Sequence, residues 1–262
     1  MPADAFFVAE GERFVPTEYA RGPWSAEALH AGPPSAILGR AIEALEPAGE
    51  MLVSRFALEV LRPIPYRPLT VRAEVVRPGR RVQLSRAALF AADTDEEVAR
   101  TAAWRIRPQE GVPDEVNLPD ADLPSPDDSS PPHLFNLGWE PNYFDGMEWR
   151  TARGDSTAPG PTAMWMRMRV PLLEAEPISP LSRVLAAADS GNGISWELPI
   201  FEYLFINLDL TVHLARMPEG EWVCLDAITR IGREGLGVAR STIWDRRGWV
   251  GEGAQSLLVA PR

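Results

Sequence analysis

The sequence predicts an α+β fold built twice, as two units that each wrap consecutive antiparallel strands around one long helix. Three observations carry this reading. In each half a helical period of apolar residues precedes four strand-like runs, the halves repeat in the same order, and a Pro- and Asp-rich stretch separates them. With 45% of its 262 residues apolar, the chain has enough material for two cores.

The first helix is expected over 34–45, where Ile37, Leu38, Ala41, Ile42 and Leu45 fall at helical spacing behind Pro33 and Pro34. Glu46 and Pro47 end it. Strands follow at 52–61, 69–77, 81–92 and 98–106, divided by Pro, Gly or Asp turns. From 108 to 142 the text is rich in Pro, Asp and Ser and lacks an apolar period, and it is longer than an ordinary connection within a compact domain. It reads as a linker between units at 1–107 and 143–262. The second unit repeats the first, with a helix over 179–189 and strands at 205–214, 222–230, 236–244 and 249–259. An offset of 153 residues lays Arg77 on Arg230 and Gly79 on Gly232, which marks an internal duplication. Joining the two sheets edge to edge would cover an open strand edge on each.

Composition removes several function classes. A net charge of -11 argues against a grip on nucleic acid phosphates or an anionic membrane. All 26 basic residues are arginine, so Schiff-base chemistry, a Ser-Lys dyad and a phosphate-loop lysine are absent. Cys224 is the only cysteine, leaving no disulfide and no thiolate metal site, and the three histidines (His30, His133, His213) lack the spacing of a helical metal pair. No run is long and apolar enough to insert in a membrane, and the first residues do not read as a signal peptide. The expected setting is the cytoplasm, with no cofactor and no metal; a homo-oligomer is compatible with the sequence.

The strings GPWSAEALHAGPPSAILGRAIEAL, FALEVLRPIP, SPLSRVLAAADSGNG, NLDLTVHLARMPEGEW and WDRRGWVGEGAQSLLV, in that order, resemble the acyl-CoA thioesterase family with two hotdog domains in one chain, the thioesterase II type. The resemblance spans nearly the whole chain outside the linker. It implies hydrolysis of a small-molecule acyl-CoA to free acid and CoA, by a water held between an Asp, a Thr or Ser, and a Gln of the second hotdog. Carried over by position, these fall on Asp209, Thr229 and Gln255.

The bare residues add to this. A period of two puts Asp209, Thr211 and His213 on one strand face, and Gln255 interrupts an apolar final strand where the 153-residue offset places Ala102 in the first half. A carboxylate can take a proton from water while a hydroxyl and an amide orient it. Each residue also has a plain structural reading: Asp209 as a turn residue, Thr229 and Gln255 as ordinary strand residues, His213, about 13 Å from Asp209 along the strand, as a satisfied one. Asp189, ending the second helix, reads first as a turn former and second as an alternative acid. His30, Ala31 and Gly32, just ahead of the first helix, are expected at the substrate, where a helix N-terminus favours a developing oxyanion. The family usually writes two glycines after the histidine, and here the first is Ala31. Trp24, Trp165 and Trp196 are candidates to line an acyl channel, and His133 is expected in solvent. Two other readings stand beside hydrolysis: an acyl-CoA binding or sensing protein without turnover, and a hotdog hydratase, whose Asp and His the spacing of Asp128 and His133 would supply only from within the linker.

Overall fold

The computed structural model describes residues 4–112, 116–120, 122–134 and 137–262; the parts of the expected first unit and linker at 1–3, 113–115, 121, 135 and 136 lie outside them. In the first half, β1 (Phe7–Glu10) and β2 (Arg13–Pro16) precede α1 (Gly32–Glu43), β3 (Leu52–Val60), β4 (Leu69–Arg77), β5 (Val82–Ala91) and β6 (Glu96–Ile106). In the second, α2 (Tyr143–Gly146), β7 (Met147–Arg153) and β8 (Thr162–Met168) precede α3 (Pro180–Ala188), α4 (Gly191–Ile194), β9 (Tyr203–Asn207), β10 (Asp209–Leu214), β11 (Val223–Ile231), β12 (Leu236–Asp245) and β13 (Gly248–Pro261).

The strands form one antiparallel sheet in the order β1-β2-β4-β5-β6-β3-β10-β13-β12-β11-β8-β7, with β9 also paired to β13. The order is palindromic about the β3–β10 seam, where Leu58 faces Leu210 and Phe56 faces Val212. The duplication expected from sequence is thus a pseudo-twofold, and the sheets are continuous across it. Inward residues of both halves, among them Leu38, Phe56, Val184 and Val212, belong to a single apolar core.

The two long helices lie side by side inside the sheet and run in opposite directions. At one junction the start of α1 meets the end of α3 so closely that a Cβ on Gly32 would stand 2.3 Å from the Ala186 carbonyl oxygen. At the other, Ser179 at the start of α3 donates its hydroxyl to Oε2 of Glu43 (2.7 Å) at the end of α1. There the fully buried Arg105 donates to the Leu45 and Pro47 carbonyls (2.9 and 3.2 Å), filling the space with a cation that satisfies the helix end.

Three sequence expectations change. The run 205–214 is two strands, because residues 208–210 face only 255–256 across the sheet and form a bulge. The segment 108–142 is no free spacer: Trp165 donates its indole N–H to Pro124 O (2.9 Å), Asp127 pairs with Arg246 (2.8 Å), and Ser130 exchanges backbone hydrogen bonds with Thr151. It covers a second apolar cluster of Ala163, Trp165, Trp222, Cys224 and Trp244 on the outer face, which is why β8 is buried on both sides and shows no alternation. Trp165 therefore belongs to this cluster and does not reach the cavity between the helices.

Candidate active site

A cavity of about 480 Å³ opens at the junction between the start of α1 and the end of α3. Its walls are mostly apolar, including Trp24, Trp149, Met164, Trp196 and Phe205, and its polar lining includes His30, Asp189, Asn192 and Asn207 at the helix junction, with Arg62, His133 and Ser156 elsewhere on the wall. A largely apolar hollow with a few convergent polar groups is the ordinary form of a small-molecule site.

Asp189 stands at the centre. It caps α3, is only 4% exposed, and turns its carboxylate toward the start of the other helix. Oδ1 accepts from the Asn207 side-chain amide (2.8 Å), and Oδ2 lies 3.1 Å from Nδ1 of His30. The same Nδ1 is 3.1 Å from the Gly32 N–H. One nitrogen cannot accept from Gly32 and donate to Asp189 at once, so the proton position decides which contact is made. With hydrogen on Nδ1 the imidazole donates to an ionised Asp189. With Nδ1 bare it takes the Gly32 amide, and a bond to Oδ2 then needs a proton on the carboxyl.

His30 is fixed further by stacking on Tyr143, with ring centroids 3.7 Å apart and planes 7° from parallel. The Tyr143 hydroxyl donates to Ala186 O (2.6 Å) and meets Ser190 Oγ at 3.1 Å, so the ring is held by α3 itself. Burial pushes the His30 pKa below its ordinary value despite the opposing pull of Asp189. Burial likewise pushes the Tyr143 phenol upward, so it remains a donor.

Gln255 and Thr229 approach the same helix end from the sheet. Gln255 Nε2 donates to the backbone carbonyl of Asp189 (3.0 Å) and its Oε1 accepts from Asn192 N (3.1 Å), a brace across the turn from α3 into α4. Gly191 makes room for it, since a Cβ there would stand 2.9 Å from Gln255 Oε1. Thr229 shares a hydrogen bond with Ser195 Oγ (2.8 Å), and Ser195 in turn donates to Gly191 O (2.8 Å). Asp189, Gln255, Thr229 and His30 are thus brought together around one turn of chain.

Asp209 is not among them. It sits in the β9–β10 bulge, where its Oδ1 accepts the Ser256 N–H (2.6 Å) that the bulge leaves without a ladder partner. Its strand turns Leu210, Val212 and Leu214 to the core, so Asp209, Thr211 and His213 take the outer face; Asp209 lines a shallow outer groove with Arg100 and Glu59. Ala102 also faces outward. The 153-residue offset is one residue out of register at these strands, and a one-residue slip moves a side chain to the other face, so the inward counterpart of Gln255 is not Ala102 but a neighbour such as Thr101 or Ala103. Ala31 lines the cavity, while Gly32 N–H is directed at His30. Trp24 and Trp196 line the cavity; His133 is exposed, as sequence placed it, and is also among the lining residues. Asn207, Asn192, Ser195 and Tyr143 were not singled out by sequence; an Asn two residues before Asp209 and a Ser-Gly-Asn-Gly turn carry no distinctive spacing.

Among the described residues no three or more His, Cys, Asp or Glu stand together as metal ligands, and no helix is long and apolar enough to cross a membrane.

Residues 20–106 match the model of the acyl-CoA thioesterase N-terminal domain, and residues 118–259 match that of the acyl-CoA thioesterase C-terminal domain. The chain belongs to the acyl-CoA thioesterase family. It is of the thioesterase II type, a family of thioester hydrolases with two hotdog domains, and the family implies an acyl-CoA substrate. A search of curated protein sequences returned no match. Among solved structures, a candidate thioesterase of Novosphingobium aromaticivorans shares the fold at 21% identity and a TM-score of 0.73, covering 97% of this chain and 98% of its own. The acyl-CoA thioesterase II TesB2 of Mycobacterium marinum does so at 17% identity and a TM-score of 0.66, covering 97% and 94%. The tesB protein of Mycobacterium avium subsp. paratuberculosis is similar at 17% identity and 0.67, with the same coverage. Each likeness is one of fold.

Proposed function

We propose that this acyl-CoA thioesterase hydrolyses its substrate at the helix junction, with Asp189 as the general base in place of Asp209. The single observation that carries the reading is the Asp189 carboxylate, buried at the cavity wall between Asn207 and His30. With hydrogen on His30 Nδ1, Asp189 is kept ionised and can take a proton from water. Gln255 and Thr229 act at one remove: they fix the turn that aims the carboxylate, through Asp189 O and through Ser195. The thioester carbonyl would lie at the N-terminal end of α1, where the helix field favours a developing oxyanion. With hydrogen on Nδ1 His30 no longer accepts from the Gly32 amide, so the amides of Ala31 and Gly32 are the two donors this reading offers the carbonyl at that helix end. Attack of the water on the carbonyl carbon with proton transfer to Asp189, then cleavage of the C–S bond with return of that proton to the departing CoA sulfur, give free acid and CoA thiol and restore the carboxylate with no covalent enzyme intermediate. The site uses α1 of one unit and α3 of the other, in a chain we divide at 1–107 and 143–262.

The hydratase pairing finds no support, since Asp128 accepts a hydrogen bond from Ser125 Oγ (2.7 Å) and does not line the cavity. The test is release of free thiol from a panel of acyl-CoA substrates by the wild type and by Asp189→Asn. Loss of a general base costs about 10²–10⁴-fold in kcat. Wild-type turnover with a fall of that size in the variant supports the reading. Tight binding of acyl-CoA with no turnover by the wild type would make the protein a sensor instead.

A further inference from the structure

The bridge between the two units does more than connect them. After crossing the outer face of the second half, it turns at Ser130, paired with Thr151 by backbone hydrogen bonds of 2.7 and 3.3 Å, and brings His133 and Leu134 to the wall of the same cavity that Asp189 faces. The segment is pinned at that point: the His133 N–H donates to Ser156 Oγ (2.9 Å), and Ser156 is itself a lining residue. Leu134 and Phe144 both pack against the main core and line the cavity, and Phe144 meets Trp149 edge to face at 5.8 Å. Trp149 in turn stands 5.8 Å from Tyr143, the ring on which His30 is stacked. The cavity that Asp189 faces thus has apolar lining from Trp149 and Phe144 as well as from Leu134 of the bridge.

We propose that this stretch of the bridge, with Leu134 as its principal contact, selects the length of the acyl chain. The inference rests on the reading of the junction as the hydrolytic site and adds to it the component that measures the substrate. His133 and Ser156 also stand on this wall, but Leu134 itself presents hydrocarbon, as do Phe144, Trp149 and Met164 of the same lining. What fits there is hydrocarbon. A wall built from a segment outside both sheets can move or change size without disturbing the strand register, which suits a specificity element.

The test compares kcat/KM over a straight-chain series of acyl-CoA substrates from butyryl to palmitoyl for wild type, Leu134→Ala and Leu134→Trp, with circular dichroism confirming that each is folded. A methylene gained or lost in an apolar pocket changes selection by about tenfold or more. Leu134→Ala is expected to shift the preferred length upward and Leu134→Trp to shift it downward, each changing the long-to-short ratio by about that factor. Ser156→Ala, which frees the pin on His133 N, is expected to broaden the profile. Profiles that keep their shape in all three folded variants would overturn the proposal while leaving the Asp189 reading untouched. Retained activity in Asp189→Asn would overturn that reading, and the length profile would remain a separate result. Should Leu134→Trp not fold, Leu134→Phe serves the same arm.

Discussion

Nδ1 of His30 and Oδ2 of Asp189 stand 3.1 Å apart, joining the start of one hotdog helix to the end of the other. If His30 acts by holding that carboxylate ionised and aimed, the two residues work as a unit and their effects on rate will not add. A cycle of His30→Ala, Asp189→Asn and the double variant is expected to show the double no slower than Asp189→Asn alone, within about threefold. Independent losses that multiply in the double variant would mean that His30 touches the reaction by another route.

Asp209 is expected to matter for stability and little for turnover. Asp209→Ala leaves the Ser256 amide of the bulge without its side-chain acceptor, a loss of about 0.5–1.5 kcal/mol because the bond is exposed and water can take the acceptor's place. Urea unfolding should report that loss, while kcat of the remaining folded enzyme stays near wild type. A thousandfold fall in kcat would return the catalytic role to this residue.

Acid should weaken the fold through His30 before it does so through the paired aspartates. The folded His30 has a pKa below that of the unfolded chain because it is buried, so its contribution is complete above about pH 6.5 and is lost as the unfolded chain takes up the proton below it. Asp245 is pushed up by burial, but Arg216 and the amides of Glu219 and Arg247 outweigh this and hold it low, so its contribution declines only below its unfolded value near 3.8. Glu43, raised by burial, acts with the opposite sign in the lower part of the range. Unfolding free energies between pH 6.5 and 5 should therefore fall in the wild type by up to about 1.4 kcal/mol per pH unit, and this slope should be absent in His30→Phe.

Gly32→Ala is expected to cost both stability and rate. The added carbon would lie 2.3 Å from Ala186 O, and the atom in the way is backbone, which cannot swing aside as a side chain can. Either the helices separate or α1 shifts, at about 1–3 kcal/mol for overpacking and with displacement of His30. Thermal unfolding together with kcat measures both. Gly11, which has nothing near its Cβ position, is a control for the substitution itself, though its φ of +63° makes Ala there mildly strained.

The second half alone should be inactive. It carries Asp189, Gln255 and Thr229 but lacks His30 and the first turn of α1, and its β10 edge would lose Leu58 and Phe56. Expression of 143–262 with and without the first half, followed by thiol release, tests this. Full turnover by the second half alone would place the whole site within it.

The helices and the four strands after each were legible because their faces differ: residues such as Ile37, Leu38 and Ile42 follow a helical period, and Leu210, Val212 and Leu214 alternate with polar neighbours. β8 was not legible, since the bridge buries its outer face and removes alternation; β1, β2 and β7 are short or irregular at the sheet edges. The junction was half legible. Thr229, Gln255 and His30 were named from sequence, and the structure brings them around Asp189. The outward placement of Asp209 was contained in the pattern itself: on a strand with one apolar face, that face is the inward one, and a carboxylate opposite it looks out. Asn207 and Tyr143 reach Asp189 through packing across long stretches of chain, which no local period encodes.

The two helix junctions have parted in character. One holds Asp189 and His30 beside a hollow; its pseudo-twofold counterpart holds Glu43, Ser179 and the buried Arg105, which donates to the helix-end carbonyls. In a symmetric pair of identical chains every substitution is written at both places, so a residue good for holding the fold and bad for turning over substrate is penalised twice. Covalent duplication removes that coupling. Mutations near Arg105 can be selected for how firmly the molecule holds together, and mutations near Asp189 for what it does, which makes the quiet junction the natural place to engineer robustness without altering catalysis.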